Sequence, residues 1–526
     1  MSNSRLYTRL VTSIQRGALA AAILGSATVF LDATIVNLAL PAIGATLPAV
    51  SLGVLEGQVY VVAGYMATLA AFLLLAGALG DRYGRRRVFI VGLVGFGVTS
   101  VACGLAPTLD LLAAARVAQG VAGALLVPGS LAIITELFDG QARGRAFGIW
   151  ASATSVVAIM GPPIGGILVE AFGWRSVFLV NAPLVAIGVG LAIRYVPELR
   201  AAGSPTRFDW PGALVGIIAV GGLSFGAIRG QQTAWSEAGP VFTLALGALA
   251  LVAFPVLMLR RRDPLVPLSL FRNRVFSTIN LATLLVYSGF YVLLYVQSLF
   301  LQGVLGYSPL GTAIVGLPGG LALAILSARA GTLAGRLGAR RFLVGGPLLM
   351  AAGTLWWLRV PITSTAWLAR ADDPASLVPP LAALVDPLPA ILLWGVGIAL
   401  VVAPLTSTLM GSVPMDRAGI ASAVNNALSR VGQPLVSAAI FILSTDRFYA
   451  SLGARVPGLD AGSAALRRAI QPLNAPASDV DQAVRDAAGL ASLEAFHIAM
   501  LVVVALFIGG AIVNWVGLRP THAVRA

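Results

Sequence analysis

Apolar residues recur along this chain in runs of about 20, the length an α-helix needs to cross about 30 Å of hydrocarbon, and short polar turns separate the runs. Fourteen such runs predict spanning helices near 17–40, 56–79, 88–106, 110–135, 146–169, 176–196, 211–229, 240–259, 276–301, 308–328, 342–358, 388–412, 419–443 and 492–516. The pattern therefore predicts an all-α polytopic membrane protein. Two stretches break the rhythm. Residues 359–387 carry Pro and Asp and are expected to form an external loop. Residues 444–491 are expected to form a longer one, in which "SDVDQAVRDAAGLASL" predicts a capped amphipathic helix. That loop would serve as a solvated lid or as the docking point of an envelope partner.

Arginine orients the helices. One side of the predicted membrane collects Arg5, Arg9 and Arg16, then Arg82 and Arg85 to Arg87, Arg143 and Arg145, Arg260 to Arg262, and Arg336, Arg340 and Arg341. The short loops opposite, at 41–55, 106–109 and 302–307, contain none. The positive-inside rule then puts both termini in the cytoplasm and favours an even number of spans. The first apolar run is long enough to span and is followed by many others, so it is expected to remain in the membrane rather than act as a cleaved signal.

Composition sharpens this picture. The chain is 58% hydrophobic and 11% charged, against about 25% charged in soluble domains. Its net charge of +14 comes from arginine alone, with no lysine anywhere. Because those arginines sit in short interhelical loops, they are topology signals and not a nucleic-acid footprint. Arginine-only usage with abundant Ala and Gly suits a GC-rich bacterial genome and hence a bacterial cytoplasmic (inner) membrane. Cys103 is the sole cysteine and only two histidines are present, so disulfides and a Cys/His metal site are excluded. The glycine strings inside spans follow no strand and are not phosphate loops. No cofactor is expected, and the energy source would be a proton gradient.

A faint repeat divides the chain. "GALGDRYGRRRVF" at 77–89 follows the second span and "GTLAGRLGARRFL" at 331–343 follows the tenth. Parallel repeats of this kind fit two halves related by an axis along the membrane normal. The expected organisation is a tail at 1–16, a six-helix bundle at 17–196, an inserted two-helix segment at 197–275, a second bundle at 276–517 and a tail at 518–526.

"GALGDRYGRRR" resembles the signature loop of the major facilitator superfamily. "LDATIVNLALP" (31–41) is similar to the first-helix motif of its fourteen-span drug:proton antiporters, "RVAQGVAGALLVPGS" (116–130) to their buried-arginine motif, and "GPPIGG" (161–166) to their antiporter motif. "GIASAVNNALSRVGQPL" (419–435) also fits. The resemblance covers essentially the whole chain. It implies a major facilitator fold of two six-helix bundles plus the inserted pair, alternating access, and export of hydrophobic, often cationic, compounds against protons.

The residues support a physical reading of their own. An ionised Asp32 in the middle of a span costs about 2.5–3.5 kcal/mol on insertion scales. A carboxylate balanced between desolvation and a neighbouring cation can be switched by whatever enters the site; the bland reading is a protonated acid bonded between helices. Arg116 lies at a comparable depth and cannot deprotonate, so it would be the fixed charge and Asp32 the titrating one. Arg116 could equally clamp backbone carbonyls. Arg116, Gln119, Gly120 and Gly123 share one helix face.

At the arginine-rich side, Gly77, Asp81, Arg82, Gly84 and Arg85 are expected to form a gate. Asp81 would face the start of the thirteenth span near Asp416, and Arg85 would pair with Glu136 or Asp139. Gly161, Pro162, Pro163 and Gly165 are expected to kink the fifth span and pack it tightly against a neighbour, excluding ions. Gln58, Tyr65, Gln119, Tyr287, Tyr291, Asn426 and Gln433 are the candidate substrate-binding residues, although Tyr65, Tyr287 and Tyr291 could instead be interfacial or interhelical. Arg430, buried in the thirteenth span, has no assigned role.

The expected activity is proton-coupled efflux of amphiphilic, cationic small molecules by a monomer that binds its substrate, protons and lipid, and no nucleic acid. A dedicated exporter of a lipid or biosynthetic product, and a proton-coupled nutrient importer, are the alternatives. A membrane enzyme is disfavoured, because no nucleophile–base pair or metal cluster is evident.

Overall fold

The computed structural model describes residues 2–138, 140–198, 209–233, 235–261, 264, 266–413, 418–460, 463–476 and 480–518, leaving out some helical side chains, among them those at 2–12, 77, 81 and 82. Fourteen long helices dominate it. The first seven are α1 (Ser2–Thr46), α2 (Val54–Val59, a π-turn at Tyr60–Gly64, then Tyr65–Tyr83), α3 (Arg85–Leu105), α4 (Leu109–Leu137), α5 (Gly140–Phe172), α6 (Ser176–Leu179 and Asn181–Tyr195) and α7 (Trp210–Gln232). They are followed by α8 (Ala238–Arg260), α9 (Arg274–Leu299, with a π-turn at Phe300–Val304), α10 (Pro309–Leu337), α11 (Ala339–Trp356), α12 (Pro387–Gly411), α13 (Ala418–Arg455) and α14 (Gln482–Gly517). Thirteen of them are long and apolar enough to cross a membrane over described residues. The remaining one, α5, corresponds to the predicted fifth span, and several of its side chains are not described.

Polar residues at the turns fix where the helices begin. Thr108 accepts from the Leu111 amide at the start of α4, Ser308 from Gly311 at the start of α10, and Asn273 from Val275 and Phe276 at the start of α9. Each satisfies amides that helix geometry leaves unpaired. The two copies of the repeat fold alike. Gly84 (φ 101°) is at once the last residue of α2's cap and the first of α3's, and Gly338 (φ 89°) does the same between α10 and α11. A side chain at either position would be strained.

Helices α1–α6 pack into one bundle and α9–α14 into a second. The bundles meet where α5 lies on α10, α2 on α13 and α1 on α9. The pair α7–α8 is mutually packed, and α7 covers the flank where α2 meets α13. Arg229 of α7 reaches the buried Glu56 of α2 at 3.5 Å and also donates to the Ser51 carbonyl, which pins the pair to the first bundle.

The structure corrects the long loop at 444–491. Helix α13 continues to Arg455 and α14 begins at Gln482, so both ends of that stretch are helical extensions of the spans, joined by a connection at 456–481. Phe448, Tyr449 and Leu452 interlock there with Ala488, Ala491 and Ala495, and Arg447 and Arg455 both pair with Glu494. The periodic pattern of spans thirteen and fourteen carries on past the membrane because the two extensions bury each other's apolar face. The predicted amphipathic helix is therefore the first part of α14, capped by Asp481 on the Ala483 amide.

Candidate functional site

Asp32 (α1) and Arg116 (α4) are both buried and touch directly, with Arg116 Nη1 2.5 Å from Asp32 Oδ2. The same nitrogen donates to Gln119 Oε1 at 2.7 Å, and Gln119 Nε2 returns a bond to Asp32 Oδ1 at 3.2 Å. Arg116 Nε donates to the Val61 carbonyl at 2.9 Å. Val61 lies in the π-turn of α2, and an i→i+5 turn displaces carbonyls from the ordinary ladder, which leaves one available to the guanidinium. The Tyr65 ring stacks 4.0 Å from the guanidinium carbon. Close approach of α2 and α4 permits this. Gly120 faces Thr68 and the Tyr65 carbonyl with no room for a Cβ, and Thr68 donates to the Val117 carbonyl at 2.8 Å.

Two partners escaped the sequence reading. Asn181 (α6) donates to Asp32 Oδ1 at 3.4 Å and to Ser100 Oγ (α3) at 3.0 Å. Both side chains are buried. An asparagine in an apolar run was the available signal, since intramembrane polar residues usually have partners. The result is a network in which both Asp32 oxygens accept hydrogen bonds.

A cavity of about 170 Å³ lies between the bundles, walled by Thr34, Asn37, Pro162, Pro163, Phe290 and Trp394 among others. Phe290 stacks on Trp394 at 5.0 Å and 16°, while Tyr287 and Tyr291 pack behind Phe290 at 5.9 and 5.1 Å. Several expected substrate contacts belong elsewhere. Gln58 is tied to the Leu40 carbonyl and to Asn474, because its position near the start of α2 faces the 456–481 connection instead of the cavity. Gln119 and Tyr65 are engaged with Arg116, and Tyr287 and Tyr291 support the wall without lining it. Asn426 donates to the Ser422 carbonyl, and Gln433 is buried on α13. Among the described residues the cavity wall carries no carboxylate, so a cationic substrate would find no counter-charge from them there.

The glycine–proline segment of α5 packs on α1. A Cβ on Gly161 would collide with Thr34, and one on Gly165 would lie 2.7 Å from Ile35 Cγ1. Gly166 faces α10, where a Cβ would lie 3.0 Å from Ala313 Cβ and from Leu310 Cα. At the arginine-rich end, Arg85 Nη1 lies 2.8 Å from Glu136 Oε2 and also donates to the Ala132 carbonyl. The surroundings of Gly77, the side chains of Asp81 and Arg82, and residues Asp139 and Asp416 lie outside what is described.

A sequence model of the Major Facilitator Superfamily matches residues 22–437. The chain belongs to the major facilitator superfamily. It is 35% identical over 81% of its length, and 74% of the relative's, to the multidrug resistance protein Stp of Mycobacterium tuberculosis. It is 32% identical to the tetracenomycin C resistance and export protein of Streptomyces glaucescens, over 82% of this chain and 76% of that one. In fold it is similar to a bacterial homolog of the human lysosomal transporter Spinster, solved inward-facing and unoccupied. There the TM-score is 0.60 at 18% identity, over 97% of this chain and 99% of that one. Superfamily membership makes the protein a multi-pass membrane transporter, a class distinct from enzymes.

Proposed function

We propose that the protein exports amphiphilic small molecules in exchange for protons by alternating access, with Asp32 as the proton site and Arg116 as its fixed counter-charge. The observation that carries this reading is the Asp32–Arg116 pair, buried two residues along α1 from Thr34 in the cavity wall. Positions 32 and 34 point to different faces of one helix. Protonating Asp32 withdraws an acceptor from α4, α6 and Gln119 and loosens α1 on its bundle side. The same helix then changes what the cavity meets on its other side.

The end of the molecule with few arginines is joined across the bundles. Ser298 donates to the Asn37 carbonyl, Gln302 to the Leu38 carbonyl, and Gly166 packs on α10. With the arginine-rich end in the cytoplasm, this seal faces outward, and release outside requires it to part. A proton entering supplies about 2.3 kcal/mol per 100 mV of potential plus about 1.4 kcal/mol per pH unit. Export accords with the names of the two relatives, and one of those names, tetracenomycin C resistance and export protein, favours a narrower version in which the cargo is one biosynthetic product.

Energised inverted vesicles test the reading. Adding a transported amphiphile should alkalinise the lumen, read by an internal pH dye, and Asp32→Asn should abolish the response. Unchanged transport by Asp32→Asn would remove the coupling assignment. A resistance screen across many toxic compounds separates broad from single-product export.

A further inference from the structure

Five charged side chains are buried among the described residues: Asp32, Glu56, Arg116, Asp209 and Arg430. Four have opposite charges beside them. Asp32 pairs with Arg116, Glu56 with Arg229 and Asp209 with Arg261. Arg430 has no acidic partner among the described residues. Its side chain leaves α13 toward the other bundle, where its guanidinium carbon lies 6.0 Å from the Phe30 ring of α1. It is 3% exposed, and its Nε has no hydrogen-bond partner among the described residues.

An isolated guanidinium in so dry a place is costly, and sites of this kind normally hold a counter-charge. The neighbouring groups are unused as well. Gln433, one turn along the same face of α13 and 1% exposed, has an unpartnered Oε1, and its amide can turn to donate instead. The Tyr65 hydroxyl also lacks a partner, and Tyr65 packs in one cluster with Ala427, the residue one turn before Arg430. Tyr291 joins that cluster and touches Phe290, which stacks on Trp394 in the cavity wall. The Trp394 indole N–H is a further buried donor without a partner. Unpartnered polar groups and aromatic rings therefore recur between the cavity wall and the part of α13 that carries Arg430.

We propose that Arg430, assisted by Gln433 and Tyr65, is the receptor for a carboxylate on the aromatic compounds that the protein exports. The inference rests on the export reading but departs from a cationic cargo: among the described residues Arg430 has no acid paired with it, and the cavity wall holds none either. A planar guanidinium presents a fork of donors suited to a planar carboxylate, and the aromatic groups nearby would stack the rest of the molecule. Tyr65 also connects this receptor to the proton site. Its ring covers Arg116, and it packs in one cluster with Ala427, one turn before Arg430.

The test uses three probes of one scaffold on the purified full-length protein: dansylglycine (carboxylate), dansylamide (neutral) and dansylcadaverine (ammonium). Binding is read by dansyl fluorescence in detergent, and transport by proteoliposome efflux. The wild type should bind dansylglycine best. Arg430→Gln should weaken that probe about tenfold to a hundredfold, the loss of a charged hydrogen bond, while leaving dansylamide within about threefold. Arg430→Lys should keep part of the preference and Gln433→Leu should lose part of it. Thermal stability of Arg430→Gln should hold or rise, since a lone buried charge has been removed; a fall in stability with all three probes weakened alike would make Arg430 a structural clamp and overturn the proposal. Tighter binding of dansylcadaverine than of dansylglycine by the wild type would also overturn it, as would failure to bind any probe. Selective binding without transport would leave the receptor standing and defeat the export reading instead.

Discussion

Gln58 and Asn474 exchange amide hydrogen bonds, Gln58 Nε2 to Asn474 Oδ1 at 2.8 Å and Asn474 Nδ2 to Gln58 Oε1 at 3.0 Å. The pair joins the first residues of α2 to the connection between α13 and α14, and so bridges the two bundles at the end with few arginines. Mutating either residue should loosen that end by about 1 kcal/mol, and the double variant should cost no more than one single. Thiol labelling of a cysteine at position 475, in a Cys103→Ser background, would report the change. Labelling should speed up severalfold in Gln58→Ala, and an unchanged rate would show that other contacts hold the closure.

Removing one partner of the Asp32–Arg116 pair should be worse than removing both charges. Arg116→Gln leaves a buried carboxylate unmatched and should destabilise the protein by about 3–5 kcal/mol, whereas Asp32→Asn combined with Arg116→Gln should recover much of that. Thermal unfolding in detergent measures both. Additive losses would mean that the two residues do not act as a pair.

Gly161→Val should separate α5 from α1, because even a Cβ has no room beside Thr34. Proteoliposomes carrying this variant should leak protons in the absence of any substrate, seen as faster dissipation of an imposed pH gradient than with wild type. A leak rate equal to wild type would reduce the segment to simple packing.

Arg229→Ala should weaken the attachment of α7 to α2 by leaving Glu56 buried without its cation, at a cost of about 1–3 kcal/mol. Glu56→Gln should suppress that loss. Limited trypsin cleavage after the exposed Arg260 and Arg261, at the end of α8, would detect detachment, with Arg229→Ala cut sooner than the wild type and the double variant close to it.

The Arg85–Glu136 pair should contribute little to stability, because Glu136 is 39% exposed and half-solvated pairs are typically worth about 0.2–1 kcal/mol. Arg85→Ala should therefore lower the unfolding temperature only slightly. Any role in gating would appear as a slower transport rate at unchanged substrate affinity.

Much of the fold was legible because spans announce themselves by length and apolarity, and each predicted run corresponds to a helix. Where the sequence misled, at 444–491, the reason was physical. A helix that leaves the membrane can continue as an amphipathic one, and a window tuned to apolar runs stops at the bilayer edge, although Phe448, Leu452 and Ala488 keep the helical period. In the buried network, the Asp32–Arg116 contact was readable from depth and charge. The roles of Asn181 and Ser100 were not, because a partner on a third or fourth helix depends on how helices rotate, which no single helix encodes. Gln58 shows the same limit. A polar face on α2 was visible, but not that it would meet a residue 416 positions away.

The π-turn at Tyr60–Gly64 decides what happens to Arg116 when its carboxylate is neutralised. Held by the Val61 carbonyl and by Gln119 as well as by Asp32, the guanidinium has anchorage that survives loss of the anion. Protonation would then unmask a stationary positive charge beside Tyr65 instead of releasing a mobile side chain. The signal passed onward would be a jump in field strength at a fixed address, delivered without any arm having to swing.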